Sequence, residues 1–381
     1  MIVLKISSTF DSGAIEVVRI DDPADIRLRL REDNAADFHQ WFHFRLMGAA
    51  GKPVRMVFEN AASAAYPDGW KDYRCVASYD RQNWFRIAGT RYEDGQLVVE
   101  HTPERDSLYY AYFEPYSHER HLDLLARVEL SPYARVRNLG SSVDGRDIDL
   151  VTVGREAPGR VPVWIIARQH PGETMAEWFV EGLLERLLDN ADPVARKVRE
   201  HAVLHIVPNM NPDGAVRGNL RSNAAGRNLN REWRDPDPAA SPEVFLVRAE
   251  MERSGCALFL DIHGDESLPY VFFSTAEEVP GFTTAAAAAQ ARFVDTLLAV
   301  SPDFQTQEGY KPGRFGEELL TLASKWVANH FGCVSLTLEM PFKDNAILPD
   351  GHVGWNGARS KRLGAAMLDP ILRHLRDAQG E

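Results

Sequence analysis

The sequence predicts an α/β catalytic domain with a mixed, mostly parallel central sheet covered by helices, preceded by an all-β sandwich. Three observations predict it. The first 125 residues hold short alternating segments separated by Gly-, Pro- and Asp-containing turns. Beyond Ser131-Pro132 the chain alternates strand-like and helix-like segments. Four of the later strand-like runs are short, apolar and end in polar residues, as expected of parallel strands covered on both faces.

The sandwich strands are expected at 41–46, 54–58, 73–79, 84–87, 97–101 and 109–113, with turns at Gly51-Lys52-Pro53, Pro67-Asp68-Gly69 and Asp94-Gly95. Segment 122–128 begins the join, and the two domains are expected to span 1–125 and 126–381. Residues 285–289 read as the start of an ordinary helix, and 359–376 as a closing helix. A chain of 381 residues can bury a sizeable core. It has no run of 18 apolar residues, and its first ten residues lack the pattern of a signal peptide. Cys75, Cys256 and Cys333 are too few and scattered for a disulfide framework and read as free thiols, which predicts a cytoplasmic location. A net charge of −12 without a Lys/Arg-rich run argues against nucleic acid or an anionic membrane as partner.

His170-Pro171-Gly172-Glu173 carries the first chemical signal. His-x-x-Glu occurs three times, as His101/Glu104, His170/Glu173 and His263/Glu266. Only the second follows an apolar strand, turns at Pro-Gly, and opens a helix at Thr174 whose Met175, Trp178, Phe179, Leu183, Leu187 and Leu188 recur at helical spacing. The turn puts an imidazole and a carboxylate at the carboxyl end of a buried strand, the edge where open α/β sheets bind ligands. Three other buried runs reach the same edge: 202–207 leads into Asn209-Met210-Asn211, 257–262 into His263, and 334–338 into Glu339. His263 is the expected third ligand, giving the His₂Glu set of catalytic zinc with one position left to water. Glu339 is left over as a base. His118-Glu119-Arg120-His121 has the wrong spacing for a metal motif and reads as a solvated face.

His170/Glu173, Asn211-Pro212-Asp213-Gly214, Arg221, Asn230-Arg231, His263 and Glu339, in this order, resemble a zinc metallocarboxypeptidase of the carboxypeptidase A superfamily. Gly218-Asn219, Asn228-Leu229-Asn230-Arg231-Glu232-Trp233 and Thr337-Leu338-Glu339 resemble the cytosolic carboxypeptidase branch more closely, whose catalytic domain also follows a β-sandwich. The resemblance covers residues 132–376, and Val143-Asp144-Gly145-Arg146-Asp147-Ile148 is similar to the first strand of that catalytic domain. It implies one zinc per chain and removal of single residues from a peptide or protein C-terminus. In that scheme Asn230 and Arg231 hold the terminal carboxylate, Arg221 stabilises the oxyanion, and Glu339 is the general base. A tyrosine closes over substrate in the superfamily; Tyr310 is the candidate, farther ahead of Glu339 than is usual. The branch acts on C-terminal acidic residues through a basic side chain, for which Arg314 is favoured over Lys325, with Lys311 a third cation in the region.

Other readings of the same residues remain open. Asn211-Pro212-Asp213-Gly214 is also what a type I or II turn looks like. Between Gly214 and Trp233, Arg217, Arg221, Arg227 and Arg231 alternate with asparagines, a composition expected to stay out of the core and to line a carboxylate site. Zinc-dependent N-acyl amino acid deacylases of the aspartoacylase type share His-x-x-Glu and a later His but lack the β-sandwich. A non-catalytic binding protein would be expected to have lost a ligand or the base, and all four are present.

Overall fold

The computed structural model describes residues 4–379. Its first part is built from β1 (Lys5–Ser7), β2 (Glu16–Arg19), β3 (Ile26–Arg29), β4 (His43–Met47), β5 (Val54–Phe58), β6 (Val76–Ser78), β7 (Phe85–Arg86), β8 (Gly89–Glu93), β9 (Gln96–His101) and β10 (Ser107–Ala111). They form two five-stranded sheets, ordered β1-β4-β10-β6-β7 and β2-β3-β5-β9-β8. All pairings are antiparallel except β3 with β5. Period-two alternation gives strands such as β3 one buried apolar face. The two inner faces meet through aromatic rings: Phe58 of β5 lies 4.8 Å from Phe42 and 6.4 Å from Phe44 of β4, ring centre to ring centre.

The second part runs α1 (His118–Glu129), β11 (Ala134–Ser141), β12 (Asp147–Val153), β13 (Val161–Ala167), α2 (Met175–Leu187), α3 (Pro193–His201), β14 (Ala202–Val207), α4 (Pro212–Arg217), α5 (Pro242–Ser254), β15 (Leu258–Asp265), β16 (Phe272–Ser274), α6 (Thr284–Val300), α7 (Ala323–Phe331), β17 (Val334–Pro341), α8 (Gly357–Ala366) and α9 (Leu368–Gln379). One seven-stranded sheet has the order β11-β12-β14-β13-β15-β17-β16. Its four central strands are parallel, while β11, β12 and β16 add antiparallel edges. Every residue of β14, β15 and β17 is buried. The carboxyl ends of β13, β15 and β17 therefore share one edge, with His263 of β15 in register beside Glu339 of β17.

Several local expectations need correction. Residues 143–148 are not the first strand; β11 precedes them, and they make the turn into β12. The closing helix is two helices, α8 and α9, separated at Met367. We propose that the two units divide ahead of α1, because a division at 125/126 would cut that continuous helix. Nor is His121 a solvated residue. It is buried, with Nδ1 2.8 Å from Glu177 and Nε2 3.2 Å from Asp149, so α1 is anchored to α2 by charge.

Burial alone would lower the His121 pKa, but the bonds to Asp149 and Glu177 raise it to about 9. A folded-state value above the unfolded 6.5 means that the stabilisation is complete below pH 6.5 and is lost as pH rises through 9. We expect roughly 3 kcal/mol of stability to disappear over that window. Urea midpoints measured from pH 6 to 9.5 check this; a His121→Gln variant with an unchanged pH slope would contradict it.

All three cysteines are free, as expected, yet Cys256 and Cys333 are not far apart: their sulfurs lie 3.9 Å from each other at the starts of neighbouring strands. Among the described residues no helix is long and apolar enough to cross a membrane.

Candidate active site

The site begins where β13 stops. Arg168 takes a left-handed backbone, φ 58°, which a non-glycine residue adopts at a cost on the order of 1–3 kcal/mol. Its buried guanidinium holds the bend in place: Nε donates to Pro171 O at 2.8 Å, Nη1 donates to Tyr116 O at 3.0 Å, and Nη1 also pairs with Glu177 of α2. The Pro171-Gly172 turn then brings Glu173 back beside His170 at the start of α2.

Three side chains that could ligate a metal converge. His170 Nδ1 lies 2.6 Å from Glu173 Oε1, His263 Nδ1 lies 2.7 Å from Glu173 Oε2, and the two Nδ1 atoms are 3.2 Å apart. Among the described residues this trio is the one cluster of histidine, cysteine or carboxylate groups able to hold a metal. The outer nitrogens are occupied in the way metal-bound imidazoles require. His170 Nε2 meets Asn228 Oδ1 at 3.0 Å, and His263 Nε2 meets Asp261 Oδ1 at 2.9 Å. Gln169 fixes Asp261 in turn, donating to its two oxygens at 3.0 and 2.9 Å, and Trp233 fixes Gln169.

The electrostatics agree with the donor set. Burial and the nearby Arg221 pull His170 down to about 3, which favours the neutral ring that a metal would need. Burial also acts to lower His263, but Asp261 and Glu173 outweigh it and hold it well above its ordinary value. Two carboxylates that favour a proton there favour a cation there. Glu173 is held below its ordinary value against burial by the two imidazoles. His₂Glu with ordered outer partners fits zinc.

A cavity of about 650 Å³ opens over these ligands. Glu339 lines it, and burial pushes its carboxyl up to about 8, with Glu173 and Asp265 adding to the effect and His263 opposing it. Glu339 Oε1 is 3.0 Å from the Tyr310 hydroxyl, which also reaches Asp265 at 2.7 Å; Oε2 is buried with no hydrogen-bond partner. Lys343 donates to Lys71 O and makes no ion pair with Glu339, and His263 bonds Asp261 and Glu173.

Arg221, Asn230, Arg231, Tyr310 and Arg314 all line the cavity. The Asn230 amide is 3.5 Å from His263 Nε2, and its oxygen accepts from Ala323 N at the start of α7. Arg231 pairs with the exposed Glu318 at 3.1 Å, a contact a substrate carboxylate can replace. The Arg314 guanidinium lies 3.8 Å from the Tyr310 ring centre. Lys325 does not line the cavity. It is buried behind the wall, donating to Ser274 Oγ and Thr275 O, and burial lowers it to about 8.

Two readings of the arginine-rich segment change. Asn211-Pro212-Asp213-Gly214 is the start of α4, because Asn211 caps Gly214 N at 3.0 Å and Pro212 suits the first helical position. The segment after it is also far from solvated: Asn219, Leu220, Ser222, Asn223, Leu229 and Trp233 are buried, and its asparagines satisfy backbone groups there. Arg168, Gln169, Asn228 and Asp261 belong to the site and were not foreseen. Asp261 carried a signal, since one carboxylate inside a buried strand, two residues before a candidate ligand, lies on the ligand's face.

Comparisons with known proteins show the family. The model of the zinc carboxypeptidase family matches residues 121–356, and that of the cytosolic carboxypeptidase N-terminal domain matches residues 6–113. A metallo-carboxypeptidase from Burkholderia cenocepacia is 56% identical, with 98% of this chain and 100% of that one superposing at a TM-score of 0.97. A metallo-carboxypeptidase from Pseudomonas aeruginosa, solved with (2-guanidinoethylmercapto)succinic acid, is 45% identical at a TM-score of 0.94, covering 98% of this chain and 100% of that one. Human cytosolic carboxypeptidase 1 is 27% identical over 71% of this chain, a segment equal to 26% of the human protein. With its catalytic fold, its ordered motifs and these relatives in agreement, the chain belongs to the zinc carboxypeptidase family, with the N-terminal domain of the cytosolic carboxypeptidases ahead of the catalytic one.

Proposed function

We propose that the protein uses one zinc ion, held by His170, Glu173 and His263, to remove single residues from the C-terminus of a peptide or protein. The convergence of both Nδ1 atoms on Glu173, beside the buried Glu339 carboxyl whose Oε2 has no partner, carries this reading. Zinc bound there would supply Lewis acidity and lower the pKa of water. The rest of the chemistry falls to side chains. Glu339, poised near neutrality, accepts the proton of the attacking water and returns it to the leaving amine. Arg221 stabilises the charge that develops on the scissile carbonyl oxygen. Arg231 and Asn230 hold the terminal carboxylate and so set which bond is cut. Tyr310 keeps Glu339 in place through its hydroxyl.

The residue removed is acidic in this reading. Arg314 is the preferred contact, since it lines the cavity, whereas Lys325 lies behind the wall, bonded to Ser274 and Thr275. A charge-assisted hydrogen bond from Arg314 is worth roughly 1.5–3 kcal/mol, about a 10- to 150-fold preference. Peptides differing only in the last residue test it. We expect kcat/KM to be higher for Glu or Asp than for Leu or Phe, and reversal of that order would overturn the acidic preference while leaving the peptidase reading intact.

A further inference from the structure

The β-sandwich reaches the active site through one buried carboxylate. Asp33, in the loop between β3 and β4, is buried, and a carboxylate in such a place is costly unless fully hydrogen-bonded. It accepts four hydrogen bonds, all from one stretch: Leu220 N at 2.6 Å, Arg221 N at 2.8 Å, Ser222 N at 2.8 Å and Ser222 Oγ at 2.9 Å. Three consecutive amides are thus aimed at one side chain from the other unit. Asn34 continues the seam, exchanging bonds with Asn219 and donating to Ala224 O.

The fit leaves no room for drift. Gly218 has φ +71°, and a Cβ there would lie 2.6 Å from Ser12 O; at Gly226, φ +78°, it would lie 2.2 Å from Ala35 O. The sandwich also seats the guanidinium itself. Arg221 Cζ lies 5.3 Å from the Tyr66 ring centre and 5.8 Å from that of Phe38, both within cation–π range. No carboxylate or carbonyl among the described residues accepts from this guanidinium, so its donors stay available to substrate.

We infer that the β-sandwich is a working part of the active site, with Asp33 positioning Arg221 through its backbone and with Phe38 and Tyr66 holding its side chain. The inference rests on the oxyanion role proposed above for Arg221. Preorganised donors act only when held at the correct place, so loosening the Arg221 backbone should cost turnover and spare the metal.

A mutant cycle on the zinc-loaded full chain tests this, with kcat, KM, zinc content and Tm measured on one peptide. Asp33→Asn is expected to lower kcat about tenfold or more, with KM changed less than about threefold and zinc retained. Arg221→Ala alone is expected to lower kcat on the order of 10². In the Arg221→Ala background Asp33→Asn should then have no further effect on kcat, a pattern that general loosening of the fold would not give. An unchanged kcat in Asp33→Asn, or an equal loss in both backgrounds, would overturn the positioning role. Wild-type kcat in Arg221→Ala would instead overturn the Arg221 reading. If Asp33→Asn does not fold, Tyr66→Leu removes the aromatic seat without disturbing the buried carboxylate. The same cycle applies: loss of kcat with Arg221 present and none without it.

Discussion

Glu339→Gln is expected to reduce kcat by on the order of 10² or more while leaving zinc content near one ion per chain. The substitution preserves the size of the side chain and its bond to Tyr310 while removing the ability to take and return a proton. Glu339 makes no hydrogen bond to His170, Glu173 or His263, so the metal-binding residues should remain arranged as they are. Its carboxyl is also held up by burial and by neighbouring carboxylates, and replacing it with a neutral amide relieves repulsion. Tm should therefore stay level or rise slightly. Steady-state kinetics alongside elemental analysis separates the two effects, and wild-type kcat in the variant would remove Glu339 from the mechanism.

His263→Ala is expected to do the opposite and lose the metal. Two protein ligands would remain, and Glu173 and Asp261 would face each other across the space the imidazole filled. The outer partner offers a graded comparison: Asp261→Asn should weaken zinc binding by roughly 10- to 100-fold, and His263→Ala by more. Competition with a chelator, read by elemental analysis, ranks the two. Equal zinc retention by wild type and His263→Ala would place the metal elsewhere.

Much of this candidate site was legible because its proposed ligands stand at chain positions where one kind of element changes into another. His170 follows an apolar strand and precedes an amphipathic helix, and His263 and Glu339 sit where two apolar strands turn polar. Strands β5 and β14 begin and end at the expected residues because each is a mostly apolar run buried along nearly its whole length. By contrast β2 is exposed along its whole length and β1 has three residues, so neither carries a periodic signal. Other features depend on contacts no local pattern encodes. Asp33 meets Leu220 across 187 residues of sequence, and Lys325 is buried by the packing of α7 against Ser274 and Thr275. His121 looked solvated because charged neighbours surround it, while its partners Asp149 and Glu177 lie on other elements. In the segment after Gly214, polarity was mistaken for exposure, since buried asparagines can stand in for the backbone partners a loop lacks.

The most direct test of the whole account is mass spectrometry of a C-terminally diverse peptide library after incubation with the purified, zinc-loaded protein. We expect products shorter by one C-terminal residue, formed by the wild type and not by Glu339→Gln. Release of an acyl group from N-acyl amino acids with the library left intact, or no product from a protein shown to carry zinc, would contradict it.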